Sequence, residues 1–270
     1  MKKFFVMAMV AMLAVLGVSS IAAQDLGSEG NPIQFYFVPS AETQTLIEGG
    51  EVLRAALTEA TGLSFEVSVP TSYAATIEAM CAAPDKSMGF PPAAGYVIGS
   101  ARCGLEVEAA AVRRGWPGYW AQYVVARDSD IYTFGDLEGK SWAYPDATST
   151  SGFIVPQVEL QAAGIEPGEQ VEAGNHNSAV LAVYNGEVDF ATSYFSPPVM
   201  PGAAWNIGDS PEPFDLSIDD SYVNDDDQLF VGDIRIMDAR SSVRDTAPDI
   251  IDKVRILRIS SPIPNDTLAF

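Results

Sequence analysis

The stretch YPDATSTSGFIVPQVELQAAGIEP, residues 144–167, sets Ser149, Thr150 and Ser151 side by side, follows them with Gly152, and then runs into an apolar, helix-like segment. Serine and threonine are favoured at helix starts because their oxygens accept from the first free backbone N–H groups. One cap needs one hydroxyl. Three hydroxyls beside free N–H groups also have the chemistry of an anion socket. Both readings place a strand end before the run and a helix after it, the unit from which an α/β sheet is built.

Working outward, the same rhythm recurs on both sides. Ile33 to Val38 is rich in aromatic and β-branched residues and reads as a strand. Leu46, Ile47, Val52, Leu53, Ala56 and Leu57 recur at near-helical spacing, and Gly62 ends that run. Phe65 to Val69 reads as a strand, Tyr73 to Cys81 as a helix, Met88 to Phe90 as a short strand, and a helix then ends at Gly104. A long strand is expected from Tyr119 to Arg127, and the hydroxyl run opens a helix ending at Gly164, with a kinked or tight first turn at Pro156. A helix from about Ser178 to Tyr184 and a strand from Val188 to Tyr194 follow. Two cycles of similar order predict two α/β lobes, one from residues 31–118 plus 257–270 and the other from 119–256. Residues 197–228 lose apolar periodicity and gain Pro, Gly and Asp, so they read as an irregular surface insertion in the second lobe. Within it, Asn224 to Asp227 reads as a solvated acidic turn, because the spaced oxygen ligands of a calcium loop are missing.

The ends and the composition bound the function. Lys2 and Lys3, an apolar run from Phe4 to Val18 and small residues up to Ala23 have the layout of a cleaved signal peptide over residues 1–23. The apolar run is about 15 residues, short of the roughly 20 that span a bilayer. The mature chain is therefore expected outside the cytoplasm, periplasmic or extracellular. The formal net charge is −21; losing Lys2 and Lys3 makes it −23, a poor match for nucleic acid or anionic lipid. An even cysteine count in an oxidising compartment points to a Cys81–Cys103 disulfide, the alternative being two buried thiols. One histidine and no CxxC pairing argue against a metal site, and no cofactor is expected. The apolar Leu268–Ala269–Phe270 end, with no closing element after it, reads as a C-terminal truncation.

In order along the chain, FVPS (37–40), TGLSFEVSVPTSYAATIEAM (61–80), GFPPAAGYV (89–97), RRGWPGYW (113–120), ARDSDI (126–131), DLEGKSWAYPDATSTSG (136–152), GIEPGE (164–169), HNSAVLAVYNGEVDFA (176–191) and SPIPND (261–266) form a specific set. Together they resemble the phosphate/phosphite/phosphonate substrate-binding proteins of ABC importers. The resemblance implies the type II periplasmic-binding fold, two α/β lobes around a ligand cleft. It implies a monomeric receptor for a small phosphorus oxyanion that hands its ligand to ABC permease membrane subunits. It assigns ligand contacts to Ser149, Thr150, Ser151, His176, Tyr73 and Tyr96, with Ser40 on a cleft loop. Asp266 matches a carboxylate that relatives use for the ammonium group of aminoalkyl phosphonates. The other carboxylate of that pair is missing: Ser193, Tyr194, Phe195 and Ser196 stand there. Phosphite, phosphate or a small neutral-tailed phosphonate is thus as well matched as an aminoalkyl one. Lys140 is the only cation near the hydroxyl run in sequence, so neutral donors are expected to do most of the holding. The other readings are a sensory binding subunit and an exported phosphoryl hydrolase using Ser149 or Ser151 with His176. No nucleophile elbow or orienting acid supports the hydrolase.

Overall fold

The structure is a computed structural model and describes residues 25–206, 208–209 and 221–270. The expected leader and part of the 197–228 segment lie outside those residues. The elements run β1 (Ile33–Phe37), α1 (Thr43–Thr61), β2 (Phe65–Ser68), α2 (Tyr73–Ala82), β3 (Ser87–Phe90), α3 (Ala93–Cys103), β4 (Val107–Ala110) and β5 (Gly118–Ala126). They continue with β6 (Trp142–Tyr144), α4 (Val155–Ala163), β7 (Gln170–Glu172), α5 (His176–Tyr184), β8 (Phe190–Phe195), β9 (Ser221–Val223), β10 (Leu229–Val231) and β11 (Ile234–Arg235). The chain closes with α6 (Ile250–Lys253), β12 (Val254–Ile259), β13 (Ile263–Pro264) and β14 (Thr267–Ala269).

Two α/β sheets result. The first has the order β2-β1-β3-β14-β4, the second β12-β5-β8-β6-β7, with β13 pairing onto β5. β1, β2 and β3 are mutually parallel, as are β6, β7 and β8. Parallel neighbours need a crossover, and α1, α2, α4 and α5 supply it. The chain passes between sheets twice: forward at the 111–117 hairpin, and back after β12, when β14 pairs antiparallel to β3 and β4. β12, Val254–Ile259, runs along the second sheet against β5, with a register shift between Ile256 and Arg258.

The larger core lies under β5 and β8, where Trp120, Phe195 and Trp205 pack edge to face with centroids 5.1–6.3 Å apart. Trp205 corrects part of the sequence reading. The 197–228 segment was expected on the surface, yet this indole is 2 % exposed and Ser221–Val223 forms β9 of a small antiparallel sheet with β10 and β11. A single large aromatic in a Pro- and Gly-rich stretch has no periodicity to reveal it, but its buried area anchors the segment. The sequence pairing of Cys81 with Cys103 agrees with the structure, where they form a disulfide with Cα atoms 5.5 Å apart.

Candidate functional site

The carboxyl ends of the parallel strands in both sheets open on one cavity of about 260 Å³. Ser40 follows β1, Tyr73 follows β2 and Pro92 follows β3; Ser149 and Ser151 follow β6, and His176 follows β7. That is where open α/β sheets leave room for a ligand, because the crossovers start there and their first N–H groups point outward.

The hydroxyl run is built more carefully than a simple cap. Ser149 is the N-cap, its Oγ accepting from Gly152 N at 3.1 Å. The next turn, Thr150–Ile154, is a π-turn, with Ile154 N donating to Ser149 O and Val155 N to Thr150 O. A wide turn thus takes the place of the tight or kinked one expected at Pro156. Pro156 has no N–H to give the Gly152 carbonyl four residues back. Thr192 Oγ1 donates to that carbonyl instead, and itself accepts from Trp142 Nε1 at 2.8 Å. The Trp142 ring lies flat between Phe153 and Phe190, with centroids 5.3 and 5.9 Å away. The result is a rigid stack beneath the hydroxyls. Gly152 permits it, since a Cβ there would meet Pro145 Cγ at 2.1 Å. α4 then runs to Gly164, whose φ of 71° ends it in the left-handed conformation.

Six of the eight residues expected at the site line the cavity: Ser40, Tyr73, Ser149, Ser151, His176 and Asp266. Two do not. Thr150 Oγ1 accepts from Ala94 N at 2.9 Å and so serves the start of α3 rather than the cavity. Tyr96, three residues into α3, packs against Met80, Leu105 and Ala269, because its position on the helix faces the first sheet. Asp146, two residues past β6, makes a matching contact, with Oδ2 accepting from Tyr73 N at 3.2 Å at the start of α2. Side chains after the second sheet therefore cap two helices of the first, and His176 N adds a longer bond to Ser40 O at 3.4 Å.

The electrostatics is that of a dry socket. His176 is 4 % exposed, and burial holds its imidazole down to about 3, so the ring is neutral near pH 7. Its Nδ1 has no hydrogen-bond partner among the described residues, and such an orphaned buried atom costs free energy unless something fills the space beside it. Burial, with Tyr119 and Asp266 adding to it, raises the Tyr73 phenol well above its usual range. Tyr119 is raised by burial and by Asp266, and Tyr194 chiefly by burial. The phenols are therefore protonated donors. Tyr73 faces Ser149 and Tyr119 faces Ser151.

Residues 35–270 match the family described as ABC transporter, phosphonate, periplasmic substrate-binding protein. The chain belongs to this family. It is a family of substrate-binding transport proteins, not of enzymes. Its relatives include the phosphate-import protein PhnD of Mycolicibacterium smegmatis, 29 % identical over 197 residues, which are 67 % of this chain and 61 % of the relative. The chain thus spans less than two thirds of that relative's length. Among solved structures, a binding protein component of an ABC phosphonate transporter from Pseudomonas aeruginosa superposes with a TM-score of 0.66 at 19 % identity, covering 88 % of this chain and 68 % of the other. PhnD1 from Prochlorococcus marinus, in complex with methylphosphonate, gives 0.62 at 12 % identity, covering 88 % and 75 %. These likenesses establish the periplasmic-binding fold.

Every cavity residue lies within the span that matches the family. Arg113, Tyr119 and Tyr194 are among the cavity residues that sequence reasoning missed. Arg113 and Tyr119 sit inside RRGWPGYW, a motif used to recognise the family without assigning a role to either residue. Tyr194 was noted only for not being acidic. Arg113 also lines the cavity, while Lys140 stands beside Asp130 at 3.8 Å. Lys140 is near the hydroxyls in sequence, whereas Arg113 comes to line the same cavity only through the fold.

Proposed function

We propose that this chain is the ligand-binding part of an extracytoplasmic substrate-binding protein of an ABC importer, holding one phosphorus oxyanion in the cavity between its sheets. The observation that carries this reading is the meeting of Ser149 and Ser151, at a helix start, with the unpartnered Nδ1 of buried His176. Helix-start N–H groups carry about half a positive charge, and rotatable hydroxyls fit a tetrahedral anion. Ser149, Ser151, His176 and Tyr73 hold the oxyanion in this reading, Tyr119 adds a donor, and Ser40 closes one side. The relative named for phosphate import and the neighbour solved with methylphosphonate support the same ligand class.

The lobes of this account are residues 31–118 plus 257–270 and residues 119–256. A leader over residues 1–23 directs the chain out of the cytoplasm, where it acts as a monomer and meets permease subunits. Among the described residues no helix is long and apolar enough to cross a membrane. The protein binds and releases without turnover. A histidine held near 3 is a weak general base at neutral pH, and the Ser149 oxygen is already occupied by Gly152 N.

A thermal-shift panel of phosphate, phosphite, methylphosphonate, sulfate and carboxylates tests this. A phosphorus oxyanion at 100 times its dissociation constant should add about 2.7 kcal/mol of stability. Stabilisation by carboxylates alone, or turnover of a phosphoester, would count against the reading.

A further inference from the structure

Among the described residues the cavity is lined by one acidic side chain, Asp266, and one basic side chain, Arg113, and they are bonded to each other. Arg113 Nη2 donates to Asp266 Oδ2 at 2.6 Å. The Arg113 side chain is 49 % exposed and that of Asp266 23 %, so the pair sits where the cavity meets solvent. Its geometry is fixed from below. The Asn265 side chain, 1 % exposed as a residue, donates to Ala111 O at 2.9 Å and Trp116 O at 2.8 Å, and its N–H donates to Pro117 O. Ala111 N in turn donates to Asp266 O, and Arg113 and Trp116 exchange both backbone hydrogen bonds across their hairpin. The hairpin and the 265–266 segment are therefore stapled together on either side of the ion pair.

We propose that the Arg113–Asp266 pair sets the ligand's tail: the site takes compact phosphorus oxyanions without a positive charge and rejects aminoalkyl phosphonates. This rests on the phosphorus-oxyanion reading above. An ammonium group needs a carboxylate whose charge no neighbouring cation already offsets. Here Asp266, the one carboxylate that lines the cavity among the described residues, accepts a short charge-assisted bond from Arg113 through Oδ2. The guanidinium on it repels a second cation, so the wrong tail meets a like charge as well as a missing partner. The hydroxyls and the imidazole of the phosphoryl end stand on other elements, since Ser149, Ser151 and His176 belong to the second sheet's crossovers. Asp266 is thus kept in sequence but neutralised in space.

The test is calorimetric titration of purified protein near neutral pH with methylphosphonate and with 2-aminoethylphosphonate. Wild type should bind the methyl compound at least about tenfold more tightly, a difference of one decade or about 1.4 kcal/mol. Arg113→Met frees Asp266 and should move the ratio toward the amino compound by a similar factor. Adding Asp266→Asn to that variant should abolish the gain. Equal or tighter wild-type binding of the amino compound overturns the inference whether or not the variants fold. An unmoved ratio in folded Arg113→Met also overturns it. Failure of folded wild type to bind either compound, phosphate or phosphite would instead remove the phosphorus reading on which it rests.

Discussion

Buried His176 has a folded-state pKa lowered from the ordinary 6.5 to about 3. The unfolded chain therefore binds a proton that the folded chain refuses between those values, and stability rises with pH across that window. Acidification from pH 7 to 5 should cost roughly 2 kcal/mol through this residue. The acidic surface responds to the same change, so the contribution is read as a difference. Chemical denaturation at both pH values should show a smaller acid loss for His176→Gln than for wild type. Equal losses would mean the ring is solvated. At this scale the sequence was partly legible. His176 stood out as the single histidine in a recognised motif, and the hydroxyls stood out by repetition. Arg113 did not, because its partner Asp266 is 153 positions away and only the return of the chain after β12 brings them together.

The hydroxyl turn depends on a bond that crosses between elements. Thr192→Val removes the donor to the Gly152 carbonyl and the acceptor of Trp142 Nε1, and leaves both buried groups unpaired. The expected cost is about 1–3 kcal/mol for each group. A melting temperature several degrees lower in thermal unfolding would check it, at about 2–4 °C per kcal/mol for a chain of this size. Thr150→Ala should act differently, since Thr150 caps α3 across the cleft. Losing about 1 kcal/mol from this contact across the cavity should weaken oxyanion binding about fivefold in calorimetry, without touching the ligand. An unchanged affinity would deny the cap any part in shaping the site. Most helices and strands were readable from periodicity and punctuation, since Gly62, Gly104 and Gly164 each end a helix. The π-turn was not, because the residue that makes it tolerable, Thr192, belongs to another strand. Nor was the side of α3 on which Tyr96 falls: an aromatic after a Pro-Pro pair fits cleft and core equally well in sequence.

Across the whole molecule, stability and binding are separated in space. The Cys81–Cys103 bridge ties the far ends of α2 and α3, whose opposite ends carry Tyr73 and Pro92 at the cavity. It closes a loop with a sequence separation of 22, for which chain entropy gives about 3 kcal/mol. Replacing both cysteines with serine should lower unfolding free energy by about that amount and leave ligand affinity within about twofold, far below one decade. The central claim is that an oxyanion is held by hydroxyls at the start of the turn preceding α4. Calorimetric titration of wild type and Ser151→Ala with methylphosphonate addresses it directly. One lost hydrogen bond to a charged ligand costs about 1.5–3 kcal/mol. The account predicts saturable one-site binding by wild type and binding about tenfold to a hundredfold weaker in the variant, with both proteins folded. Equal affinities would contradict it, and would leave the hydroxyl run as nothing more than a helix cap.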